Sequence, residues 1–176
     1  QPILHFWFSE LTPQQHFAKD ATLDDSIHTR FGPTLEAAAR CELFYWRATP
    51  EGRLAEILVL DQFSRNVYRD TARAFAQDAL ALALAQELVA SGQDRNLPTA
   101  QRVFAYMPYM HSESALIHEQ ALELFAQPGM ENNLDFERRH KAIIDRFGRY
   151  PHRNAILGRT STPEELAFLS EPGSSF

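Results

Sequence analysis

"TARAFAQDALALALAQELVASG", Thr71–Gly92, decides the fold class. Alanine and leucine, two of the strongest helix formers, dominate its body, and nothing in it alternates as a half-buried strand would. Thr71 is placed to cap the start, and Gly92 can close the end in a left-handed conformation. The spacing predicts one helix between them.

The helical period continues on both sides. Upstream, "PEGRLAEILVLDQFSRNVY" reads as a helix entered after Pro50, and "ILHFWF" is a short, very apolar opening segment. "DDSIHTRF" and "PTLEAAARCELFYW" read as two helices split at Gly32-Pro33, because an interior proline removes a hydrogen bond and crowds the preceding turn. Downstream, "TAQRVFAYMPYMH" holds Pro108, which is expected to end or kink it. "SESALIHEQALELFAQPG" restarts with Ser112 or Ser114 as cap, and "LDFERRHKAIIDRFG" stops at Gly148. "STPEELAFLS" carries a capping box, with Thr162 at the cap, Pro163 at the first position and Glu165 as the acid. The expectation is an all-α protein, an antiparallel helical bundle over residues 1–176 as one domain. No fixed repeat of about 34 residues stands out, so any superhelical character is degenerate.

The totals exclude several function classes. At 176 residues the chain can bury a sizeable core, and its net charge of −6 argues against DNA, which asks for a broad basic footprint. Cys41 is the only cysteine, which rules out an intramolecular disulfide and a cysteine zinc cage. No apolar run approaches a membrane span, and "QPILHFWFSE" makes a poor signal peptide, so a cytoplasmic location and no membrane partner are expected.

Certain polar side chains fall on apolar stripes. Leu54, Ile57 and Leu58 lead to Asp61, whose i+4 neighbour is Arg65. Val103, Met107 and Met110 lead to His111. Ile117, Ala121 and Leu124 lead back to Glu113, and Phe136, Ile143, Ile144 and Phe147 share a stripe with His140. A buried carboxylate needs a cation or donors. The natural source is "RFGRYPHRNAILGR", with Arg146, Arg149, Arg153 and Arg159 among its fourteen residues and no acid. Two readings stay open. In one, arginines such as Arg146, Arg149 and Arg153 neutralise Asp61 and Glu113 and cap helix ends. In the other, they converge with His152 and Asn154 on a small anionic ligand. "PHRNAILG" can also form a short helix from Pro151. The phosphate-loop, dinucleotide, zinc-protease and nucleophile-elbow motifs are missing. His111, Glu113 and His140 with Asp61 do not form a recognised metal signature, so no metal is assigned, and no cofactor is indicated.

"ILHFWF", "LDQFSRNVYRDTARAFAQDALAL", "YMPYMHSE" and "RFGRYPHRNAILGRTSTPEELAFL" together resemble the bacterial family catalogued as domain of unknown function 924, over residue 3 to about 169. The resemblance implies an all-α fold similar to tetratricopeptide-repeat proteins and brings no established reaction. Its polar blocks fall on Asp61, Gln62, Arg65, Asn66 and Arg69, on His111 and Glu113, and on Arg146 to Asn154 with Arg159. Ser64 departs from the proline expected there, which bears on where that helix ends. The leading expectation is a polar, arginine-lined pocket for a small anionic ligand, with His111, Glu113 and His152 as acid–base candidates should it be an enzyme. The alternative is a scaffold that binds a peptide or protein partner on a helical groove, which rests on fold analogy alone. RNA binding is a weaker third reading, given the surrounding acidity.

Overall fold

Capping chemistry and one buried helix set the architecture. The computed structural model describes residues 1–176, all in helices, turns and loops with no strand. Helix α1 (Pro2–His5) runs into a π-helical turn, Phe6–Glu10, and buries Ile3, Leu4, Phe6 and Trp7. Asp20 opens α2 (Ala21–Ala39) by accepting from the amides of Thr22 and Leu23. The expected break at Gly32-Pro33 does not occur. Leu23, Ile27, Phe31, Leu35 and Ala38 form one buried stripe across the proline, and that burial outweighs the one hydrogen bond lost.

Helix α3 (Pro50–Leu58) starts where Thr49 accepts from the Gly52 amide. A π-helical turn, Val59–Phe63, carries it into α4 (Ser64–Val67), so the serine at position 64 does not end the helix. Every residue from Leu54 to Ser64 is buried, which makes this the central element, wrapped on all sides. It packs against α5 (Asp78–Ala90) and α6 (Thr99–Met110), while α2 covers the π turn and α4.

The next helix starts at Asp78 rather than Thr71. Asp70 adopts φ +61° and reverses the chain, and the Thr71 hydroxyl donates to Tyr68 O at 2.6 Å instead of capping forward. A 3-10 turn, Ala72–Phe75, fills the gap. Gly92 closes the segment with φ +69°. Pro108 sits near the end of α6, which stops two residues later at Met110. Helices α7 (Ala115–Phe125) and α8 (Glu131–Phe147) follow, and α6 packs on α7 and α7 on α8. Ser114 occupies the cap position of α7 without a side-chain bond; its own amide donates to Ser112 Oγ. Gly148 ends α8 with φ +71°, and α9 (Pro163–Leu169) carries the expected capping box. Phe136 leaves its predicted stripe: it is 52% exposed beside the Arg139 guanidinium.

Two cores result. The larger centres on α3 and the aromatic opening segment; the smaller holds Ile143, Ile144, Tyr150 and Phe168. No helix is long and apolar enough to cross a membrane.

Candidate functional site

The end of α6 lies between these cores, and its last carbonyls have no partners within the helix. Three side chains supply donors to three consecutive carbonyls at and just beyond its end. The Tyr150 hydroxyl donates to Met110 O at 2.6 Å, Arg153 Nη2 to His111 O at 2.9 Å, and His118 Nε2 to Ser112 O at 2.6 Å. His118 is fully buried, and its Nδ1 meets the equally buried Glu137, whose pKa burial pushes up. The turn that carries His111 is therefore fixed from three directions.

The π turn presents Asp61 to the same place. Asp61 Oδ1 lies 2.7 Å from His111 Nδ1 and 3.2 Å from Arg65 Nη1, and Gln62 Nε2 donates to Oδ2 at 2.8 Å. Burial alone would raise the Asp61 pKa, but His111 and Arg65 overcome it and hold the carboxyl at about 2. Burial, reinforced by Arg65, lowers the His111 pKa. Asp61 is thus ionised and His111 neutral near pH 7. Since a carboxylate only accepts, the His111 proton sits on Nδ1 and Nε2 keeps its lone pair.

Arg65 also forks onto Asp78 at 2.7 and 3.0 Å. Asp78, His111, Ser112, Glu113 and Arg153 then form the polar side of a cleft of about 390 Å³. Arg153 is almost fully buried over the rings of Phe75 and Tyr150. Its Nη1 is 3.6 Å from Asp78 Oδ2, beyond hydrogen-bond reach, and its Nε has no partner. Burial, then Arg65, lowers its pKa.

The profile of a family described as bacterial protein of unknown function (DUF924) matches residues 3–173. The chain belongs to the DUF924 family. A solved structure of a protein of unknown function from Agrobacterium tumefaciens is similar to it, with 41% sequence identity and a TM-score of 0.91 over 96% of this chain and 95% of that one. No curated protein matches the sequence.

In this DUF924 chain most of the arginines picked out from the sequence have carboxylates of their own. Arg149 forks onto Glu165 at 2.9 and 2.7 Å, and Arg159 onto Glu113 at 2.8 and 3.0 Å. Glu113 also accepts from the Tyr150 amide, so its cation is Arg159 rather than Arg146, Arg149 or Arg153. Arg69 forks onto Asp24, which Asn66 also contacts, away from the cleft. Arg146 is exposed over the Phe147 ring. Asn154 is buried and ties Glu165 and Ser161 to Arg159. His152 lies outside the cleft against Tyr150 and Phe176; burial, then Arg153, lowers its pKa to about 4. The segment from Pro151 forms one 3-10 turn, Pro151–Arg153, rather than a longer helix. His140 bonds Phe136 O instead of joining His111.

Of the residues expected to form the site, the DUF924 fold unites Asp61, Gln62, Arg65, His111, Glu113, Arg153 and Arg159. It adds three groups that sequence reasoning passed over. Asp78 falls inside the helix expected from Thr71 and carries no signal of its own, Glu165 is read only as a cap, and His118 and Glu137 stand 19 positions apart on two helices with no local pattern to pair them.

Proposed function

We propose that this cleft binds a small anionic ligand through Arg153. The observation that carries the reading is the imbalance among the arginines. Arg65, Arg69, Arg149 and Arg159 each fork onto a carboxylate, whereas buried Arg153 has an open Nη1 beside an Asp78 that is already engaged by Arg65. A desolvated guanidinium without a full partner gains by taking an anion. The same cleft holds a candidate base. His111 Nε2 is free to accept a proton and Asp61 fixes the ring, which supports an enzymatic role with His111 as base. Glu113, kept ionised by Arg159, lines the same cleft as a carboxylate. A compact cleft with convergent polar groups suits a small molecule better than a peptide, which asks for an extended groove.

The test is a thermal scan against varied phosphates and carboxylates. At about a hundredfold excess over Kd a bound ligand stabilises by roughly 2.7 kcal/mol. The rise is expected to saturate, which separates binding from the general stabilisation that sulfate gives by surface exclusion. It is expected to vanish in Arg153→Gln. A complete absence of saturable shifts would reject the reading.

A further inference from the structure

The polar groups line only part of the cleft. Phe75, Ala79 and Leu82, from the turn before α5 and the start of that helix, face it together with Pro108 and Leu157. The ligand's body therefore meets hydrocarbon, and only one end meets charge. That charge is closely balanced. Arg65, Arg153 and Arg159 stand against Asp61, Asp78 and Glu113, and His111 is neutral. A dianion such as a phosphate ester or dicarboxylate would bring its second charge against Asp78 and Glu113, with no further open cation to receive it.

We infer that the ligand is a monocarboxylate with an apolar body, a short aliphatic or aromatic acid. This rests on the anion-binding reading and narrows it. The carboxylate accepts from Arg153 Nη1, and the body lies along Phe75, Ala79 and Leu82. At about 390 Å³ the cleft sits at the small end of ligand sites, which suits a chain of a few carbons better than a nucleotide.

The experiment is a calorimetric titration of the whole chain with acetate, butyrate, hexanoate and phenylacetate, beside succinate, inorganic phosphate and the uncharged hexanamide. Affinity is expected to rise about fourfold per methylene until the cleft is filled, following the free energy of burying each CH₂ group. Hexanoate is expected to exceed succinate, phosphate and hexanamide by at least about tenfold, the effect of one unmatched charge or lost ionic hydrogen bond. Arg153→Gln is expected to erase the preference of hexanoate over hexanamide. Should that variant not fold, Ala79→Glu serves instead. Position 79 is exposed on a helix, so a good helix former is tolerated there, and the new carboxylate should weaken hexanoate by about fivefold. Phosphate or succinate binding as tightly as hexanoate, or affinity independent of chain length, would overturn the inference and leave the anion reading standing. Hexanamide matching hexanoate would overturn it too. No binding by any anion would end both.

Discussion

Replacing Asp61 with alanine takes one acceptor from three donors at once. His111 Nδ1 at 2.7 Å and Gln62 Nε2 at 2.8 Å lose their partner, and Arg65 Nη1 loses one of its acceptors, at 3.2 Å. The site is 1% exposed, so water does not replace it. Breaking a buried charge pair typically costs 3–5 kcal/mol, because a charge is left uncompensated. Here Arg65 keeps its fork on Asp78 at 2.7 and 3.0 Å, which moves the expected loss to the lower end, about 3 kcal/mol. In urea unfolding, with a slope of about 2 kcal/mol/M, the midpoint should fall by about 1.5 M with the slope unchanged. The double variant Asp61→Ala, Asp78→Ala removes both carboxylates from Arg65. Its loss should exceed the sum of the single losses by about 1 kcal/mol or more. A single-variant change below about 0.5 kcal/mol, the range of an ordinary surface substitution, would show that Asp61 does not anchor this network.

Other outcomes follow from the same structure. Arg149→Ala should lower the melting temperature, because Glu165 loses its fork, while any anion response is retained. Loss of the response together with wild-type stability would reverse the roles assigned to Arg149 and Arg153. Burial holds His140 neutral, with its pKa lowered to about 3, so between its unfolded value and that point the unfolded chain binds a proton that the folded chain does not. Stability should therefore fall as pH drops below about 6.5, by about 2 kcal/mol from this group at pH 5. Chemical unfolding at pH 7 and pH 5 tests this; a His140→Asn variant should show a shallower slope, and equal slopes would contradict it. At Gly52 an added Cβ would lie 1.9 Å from Trp46 O, whereas at Gly148, with φ +71°, it would meet nothing within 4 Å. Gly52→Ala should thus cost several kcal/mol and Gly148→Ala about 1 kcal/mol, by equilibrium unfolding; similar losses at both would refute the close contact.

The helices were legible wherever local chemistry decides them. The Thr162–Glu165 capping box and the left-handed closures at Gly92 and Gly148 depend on residues a few positions apart, and all three form. So does the i,i+4 pair of Asp61 and Arg65. Two boundaries failed: tertiary burial of the stripe through Pro33 kept one helix whole, and a local turn, with Asp70 left-handed and Thr71 bonded back to Tyr68, kept Thr71 from opening the next helix. The apolar stripes lead to buried Asp61 and half-buried His111 but do not say which cation serves which acid. Arg159 finds Glu113 across 46 positions and Arg149 finds Glu165 across 16, and no periodicity encodes such pairs. Asp78 was invisible for the same reason, since it is addressed by Arg65 from the preceding helix and by Arg153 from far downstream.

The three bonded carbonyls at the end of α6 bear on how the protein opens. Tyr150 and Arg153 reach Met110 and His111 from 40 and 42 residues away, so this turn is held by a segment distant in sequence. Regions joined in this way open together and exchange their amides with solvent as one unit. A fluctuation that lifts residues 148–160 would free His111, vacate Arg153 from the cleft and strand Glu113 in the same event. The helices would remain, and the far-ultraviolet signal with them, while the cleft had gone.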